Sequence, residues 1–318
     1  PQRAEPFKFT RREEIGFRIG AVLVILVAAT AGLLARRHLK MGRGDRRGAT
    51  RLAGFMLLAG MVSWALEADH VTDFGGEMGL ILRGTAWRLL IAAFIWVLYL
   101  ALEPFVRRKW PRTLVSWTRL LAGRFRDPLV GRDILVGAAA GALATVIVYW
   151  AEALPRMLGL RPATPWYFIA LDPLLGAGYT ISEMLEKVQA AVAVGLALLL
   201  LLLLARSIFR RDWLAASAFV ALTSVQALLV SESPWWIIAP TAVLLRLIPV
   251  VLAFRFGVLA VISCFVVVTL LCEMPIASDL TSWAALPGLA VFAVVAGLAA
   301  YAFHTATGGR GFAFGLND

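Results

Sequence analysis

AVLVILVAATAGLLARRHLKMGRGDRRGATR, residues 21–51, decides the fold by its internal contrast. An uncharged apolar run ends abruptly at Arg36-Arg37-His38-Leu39-Lys40, and the charge continues through Arg43, Asp45, Arg46, Arg47 and Arg51. The same arrangement returns at Glu103, Arg107, Arg108, Lys109, Arg112, Arg119, Arg124, Arg126, Asp127, Arg132 and Asp133, again between apolar runs. The loops between these clusters carry acids or almost no charge. Alternation of this kind is the positive-inside signature of a polytopic membrane protein.

Composition agrees. Of 318 residues 60% are apolar, and the mean hydropathy is +0.80, whereas a soluble domain is about 45–50% apolar. The net charge of +11 raises nucleic acid as a partner. The basic residues flank apolar spans, however, so the expected partner is a bilayer with anionic headgroups, and no nucleic acid. Cys264 and Cys272 share one apolar run and form neither a disulfide framework nor a metal spacing.

A spanning helix needs about 20 mostly apolar residues. About nine runs qualify or nearly so: 15–35, 52–66, 86–102, 134–154, 188–204, 213–230, 235–254, 258–271 and 284–303. The expected fold is therefore an all-α polytopic integral membrane bundle. Its parts are a juxtamembrane segment 1–14, a transmembrane domain 15–303 and a tail 304–318. Placing the loops 36–51 and 104–133 in the cytoplasm puts the C-terminus there and Pro1 outside. Glu67, Asp69, Asp73, Glu77, Asp172, Glu183, Glu186, Glu232, Glu273 and Asp279 then fall opposite, with Arg156, Arg161 and Lys187 as exceptions. The basic N-terminal segment conflicts with an outside location unless a translocated domain precedes it. Trp64, Trp87, Trp110, Trp117, Trp150, Trp166, Tyr167, Trp235, Trp236 and Trp283 sit where an interfacial belt is expected. The stretch 161–179 reads as a surface-packed or re-entrant loop.

Trp110, Leu114, Trp117, Leu121 and Phe125 recur at one-face helical spacing, with Arg112, Arg119, Arg124 and Arg126 largely elsewhere around the helix. This predicts an interfacial amphipathic helix, either a plain connector or a docking element. Arg43-Gly44-Asp45 reads as a tight solvated turn. Glu13-Glu14-Ile15-Gly16-Phe17-Arg18 fits the EExxxR pattern of intramembrane CAAX-type proteases. His38, His70 and His304 do not supply the metal-binding histidine patterns that chemistry needs. Nucleotide, nucleophile and metal motifs are absent from the sequence, so no catalytic residue, cofactor or metal is assigned. Arg246, between Pro240 and Pro249 inside a span, is the candidate intramembrane polar residue. It is expected to pair with a backbone carbonyl or a Glu. The alternative is a solute site that it forms with loop 161–179.

Two long stretches carry a resemblance. Leu34-Ala35-Arg36-Arg37-His38-Leu39-Lys40-Met41-Gly42-Arg43-Gly44-Asp45-Arg46-Arg47-Gly48-Ala49 is one. The other runs from Leu100-Ala101-Leu102-Glu103-Pro104-Phe105-Val106-Arg107-Arg108 through Ser116-Trp117-Thr118-Arg119-Leu120-Leu121-Ala122-Gly123-Arg124 to Arg126-Asp127-Pro128-Leu129-Val130-Gly131-Arg132-Asp133. Both resemble the C-terminal multi-span domain of acidobacterial-type transmembrane serine/threonine protein kinases. His38 stands where that family often has Asn. The resemblance implies a bacterial inner-membrane location. It also implies kinase and extracytoplasmic domains upstream in the parent chain, with every kinase residue lying there. On that basis the expected function is a non-catalytic sensor or anchor domain. The relay or interface residues would be Arg36, Arg37, Arg43, Asp45, Arg46, Arg47, Glu103, Arg107, Arg108, Trp110, Trp117, Arg119, Arg124, Arg126, Asp127, Arg132 and Asp133. A homodimer is left open, and a transporter or permease-like domain is the alternative.

Overall fold

The computed structural model describes residues 10–42, 44–160, 167–231, 234–277, 279 and 281–308. Ten α-helices and two short 3-10 turns make up the regular structure, with no strand among the described residues. The helices are α1 (Arg11–Lys40), α2 (Arg46–Glu67), α3 (Phe74–Lys109), α4 (Val115–Leu121), α5 (Pro128–Met157), α6 (Ala177–Phe209), α7 (Asp212–Val230), α8 (Trp235–Arg255), α9 (Val258–Glu273) and α10 (Ala285–Ala306). Eight of them are long and apolar enough to cross a membrane, and α9 is a shorter apolar helix of 16 residues. The protein is thus an all-α helical bundle of membrane-spanning type.

Each predicted run lies within one helix or nearly so, but most helices extend past their runs. Polar caps explain the extension. Thr10 and Glu13 form a reciprocal capping box that starts α1. Glu13 is therefore a helix-starting residue, and Glu14 pairs with Arg18 one turn on at 2.6 Å. Asp45, Asp73 and Asp127 cap α2, α3 and α5. At 36 residues, α3 is about 54 Å long, well beyond a hydrocarbon core of roughly 30 Å. Pro240 and Pro249 lie inside α8, which continues through both.

The short helix α9 occupies the centre. It is apolar all round and buried along most of its length, as a helix enclosed by other helices should be. Small residues admit it. A Cβ on Gly137 of α5 would run into the Ala260 carbonyl oxygen, and one on Gly141 would come within 2.7 Å of the Cys264 carbonyl oxygen. On α6, a Cβ on Gly195 would come within 2.7 Å of Ile262. Without a hydrophobic driving force between helices in lipid, such close backbone approach is what holds spans together. Val22, Val24 and Ile25 of α1 and Leu289 and Phe292 of α10 are exposed, making these helices lipid-facing. Trp87, Trp150, Trp235, Trp236 and Trp283 are exposed toward the same end of the bundle, as an interfacial belt requires. Trp166 lies outside the described residues.

The segment 110–125 departs from a single interfacial helix. It forms a 3-10 turn (Pro111–Leu114) followed by the two-turn α4. Leu114 and Trp117 of the apolar stripe are buried in protein, and Phe125 is exposed. Trp110 meets Phe254 of α8 edge-on at 5.2 Å. Thr113 Oγ1 donates to the Ala253 carbonyl at 3.4 Å. The stripe finds a protein partner because the α8–α9 junction offers a glycine, Gly257, at the point of contact.

Candidate functional site

Three polar clusters stand out, and helix directions place them at different depths. The first is at the end of the bundle where the two basic loops meet. His38 is buried beside the end of α3, with Nδ1 3.0 Å from the Leu100 carbonyl oxygen and its ring 5.0 Å from that of Phe105. The Asp45 backbone N–H donates to Glu103 Oε2 at 3.2 Å, while Glu103 Oε1 is 2.6 Å from Arg107 Nε. Arg51 donates to the Leu121 carbonyl at 3.2 Å, and Tyr301 of α10 donates to the Phe125 carbonyl at 2.6 Å. Arg119 Nη1 contacts both Asp127 oxygens, at 2.9 and 2.8 Å. Arg132 contacts the buried Asp133 at 2.7 Å and stacks over Phe256 at 5.8 Å. The two stretches that carry the family resemblance are therefore one packed unit.

Within that unit the predicted residues divide. Glu103, Trp117 and Asp133 are buried, while Asp45, Trp110, Arg119 and Asp127 are half-buried partners. Arg36, Arg37, Arg46, Arg47, Arg108, Arg124 and Arg126 are exposed and form no ion pair among the described residues. They are free to meet anionic headgroups or a protein. Arg43 lies outside the described residues. Partial burial works against ionisation of Asp127, but hydrogen bonds from Arg119 and Leu129, with the charges of Arg119 and Arg124, hold its carboxyl below the ordinary range.

The second cluster is at the opposite end. Arg88 of α3 donates to Glu67 of α2 at 2.8 Å and to Glu186 of α6 at 3.3 Å. It also reaches the Gly60 carbonyl at 3.3 Å. Ser182 donates to Glu67 at 2.6 Å, and Ser63 bonds both Ser182 and Glu186. One cation thus ties three helices. In the sequence Arg88 is a charge near the start of the apolar run 86–102, and Glu67 and Glu186 read as loop acids. A cation near the start of a span, in a chain with acids at neighbouring span ends, was the available signal.

The third cluster lines a cavity of about 580 Å³ among α5, α6, α7, α8 and α9. At its polar part Lys187 is held between Glu183 and Glu273, 2.6 Å from each. Tyr167, from the connection between α5 and α6, lines the cavity too, and three residues on the Ala170 N–H donates to the Glu273 carbonyl at 2.8 Å. Burial pushes the Tyr167 phenol up to about 12, so it remains a protonated donor at neutral pH. Arg246 lines the same cavity. Neither the expected carbonyl nor the expected Glu reaches it, because Glu186 and Glu273 are turned to Arg88 and Lys187, and it makes no hydrogen bond or ion pair among the described residues. Residues 161–166 of the predicted loop lie outside the described residues.

No family model, no curated protein and no solved structure matches this chain. The clusters themselves therefore carry the functional argument. Among the described residues no group of His, Cys, Asp and Glu could hold a metal ion. Cys264 and Cys272 are both buried and form no disulfide, and Cys272 Sγ donates to Thr145 Oγ1 at 3.9 Å.

Proposed function

We propose that this chain is a non-catalytic sensor or anchor domain of a transmembrane serine/threonine protein kinase in a bacterial inner membrane. The N-terminus is outside, and the C-terminus and the basic loops are in the cytoplasm. One observation carries the relay part of the reading. The helix α3 is continuous from Phe74 to Lys109 and is held by two polar clusters, Arg88 with Glu67 and Glu186 in its first half and Glu103 with Asp45 and Arg107 near its end. A displacement of α2 or α6 at the first cluster would be passed as a rigid-body shift to the second. The exposed arginines around Glu103 would hand it to a kinase domain or to anionic lipid. What supports the kinase parentage is the pair of resembling stretches, which fold as one unit at that end.

Two tests separate parentage from relay. The coding sequence upstream of Pro1 is expected to contain kinase HRD and DFG elements, then a span and an external domain; a start codon directly before it overturns the parentage. In the full-length protein, reversing the charge of both basic loops is expected to change kinase output, and unchanged output sinks the relay. The permease-like reading is favoured by the Arg246 cavity, whose chemistry is taken further below.

A further inference from the structure

We propose that the cavity among α5, α6, α7, α8 and α9 binds an acidic amphiphile, with its anionic head at Arg246 and its chain along the apolar wall formed by Leu198, Leu201 and Phe219. The proposal goes beyond the relay reading and stands whether or not a kinase domain is attached.

Charge is the first argument. A cation inside a span is costly unless it is partnered. Every other charged group lining this cavity is engaged: Glu186 by Arg88 and Ser63, and both Lys187 and Glu273 by each other. Arg246 alone has no hydrogen-bond or ion-pair partner among the described residues. A guanidinium offers a planar fork of donors that fits a carboxylate or phosphate. Tyr167 lines the same space and adds a hydroxyl donor for a second oxygen.

Shape is the second argument. About 580 Å³ falls within the range of roughly 300–1,000 Å³ that small-molecule sites occupy. A free inorganic anion would fill only a fraction of it. The cavity is also elongated: Leu201 lies about 21 Å along α6 from Lys187 at 1.5 Å per residue. Beyond Arg246 the wall is apolar, which suits a hydrocarbon tail and not a second polar group.

The test uses the purified chain in phosphatidylcholine nanodiscs, with thermal unfolding as the readout. Dodecanoate is expected to raise Tm by on the order of 5 °C near saturation. Dodecanol, acetate and inorganic phosphate are expected to do little. Replacing part of the phosphatidylcholine with phosphatidylglycerol distinguishes a bilayer lipid from a free single-chain acid as the source of the head. Arg246→Gln is expected to weaken the dodecanoate response about 10- to 100-fold in concentration, and Arg246→Lys to retain part of it. Leu201→Trp, which fills the apolar end and leaves Arg246 in place, is expected to abolish the response and keeps the test open if Arg246→Gln does not fold. The proposal is overturned by equal stabilisation from dodecanol, by acetate or phosphate matching the amphiphile, by Arg246→Gln or Leu201→Trp responding like the wild type, or by no amphiphile stabilising at all.

Discussion

The Asp45 backbone N–H donates to the Glu103 carboxylate at 3.2 Å, joining the turn between α1 and α2 to the last turns of α3. Glu103 is only 4% exposed, so this acceptor cannot be replaced by water without opening the end of the bundle. The other carboxylate oxygen meets Arg107, whose side chain is 65% exposed, and that contact is screened. Most of the value of Glu103 therefore lies in its buried acceptor. Glu103→Ala is expected to destabilise by about 1–3 kcal/mol, and Glu103→Gln, which keeps an acceptor, by about 1 kcal/mol. Thermal unfolding in detergent compares the two, and equal losses would mean that the charge and not the acceptor matters.

Arg88 invites a different expectation, because it serves two carboxylates. Its side chain is 14% exposed against 30% for Glu67 and 44% for Glu186. Removing the shared cation leaves two acids facing each other beside α6, whereas removing one acid leaves the cation a second partner. Arg88→Met is therefore expected to cost on the order of 2 kcal/mol, reduced from a fully buried pair by the exposure of the acids. Glu67→Gln should cost less than half of that. The double variant should recover part of the Arg88→Met loss, since the repulsion is then relieved. A double-mutant cycle by thermal unfolding reads all three, and strict additivity would dissolve the cluster as a unit.

The pH dependence at the basic end follows from Asp127. Its folded pKa lies below the ordinary value, held there against partial burial by Arg119, Leu129 and Arg124. A depressed carboxyl pKa stabilises the fold fully above the unfolded pKa of about 3.9, and that contribution is lost as pH falls through the folded value. Asp127→Asn keeps an oxygen to cap α5 and removes only the charge. At neutral pH it should cost about 0.5 kcal/mol, the usual scale of a pair that solvent still screens in part. The gap between wild type and variant should close as the pH is lowered below about 4. Asp127→Ala also removes the cap, and about 1 kcal/mol more should go at every pH. A gap that widened in acid would reverse the assigned sign.

How much of this could be read from residues alone depends on whether the signal was local. Apolar runs and their charged flanks marked the helices, because crossing lipid is a property of one segment. Helix ends were underestimated at Thr10, Asp73 and Asp127 because caps add polar turns outside the apolar run. Gly137 and Gly141 form a GxxxG pair inside a span, a legible sign of close packing. The approach to Ala260 and Cys264 of α9, however, depended on a partner over a hundred residues away. The stripe Trp110 to Phe125 was read as one helix face, but α4 ends at Leu121 and Phe125 is exposed, and periodicity does not say whether lipid or protein covers the part that is buried. Arg246 was visible as a charge in a span, but its lack of a partner was not, since that depends on where Glu186 and Glu273 turn.

Two glycines at the basic end separate backbone freedom from close packing. Gly257, between α8 and α9, has φ +98°, and Gly123, after α4, has φ +81°. Both sit where L side chains are strained by about 1–2 kcal/mol. They differ in what a Cβ would meet. At Gly123 nothing lies within 4 Å, whereas at Gly257 the Thr113 carbonyl oxygen is in the way. Thr113 belongs to the turn that seats Trp110 against Phe254 and leads into the buried Trp117. Gly123→Ala should therefore cost only the backbone strain. Gly257→Ala should cost that plus an overpacking penalty of about 1–3 kcal/mol, relieved in part by lifting the 111–121 segment off the bundle. Thermal unfolding gives the difference, and a single cysteine placed at Ser116, which is buried, should become open to a thiol reagent in Gly257→Ala and stay protected in Gly123→Ala. Equal protection in both would show that the segment is not held through Gly257.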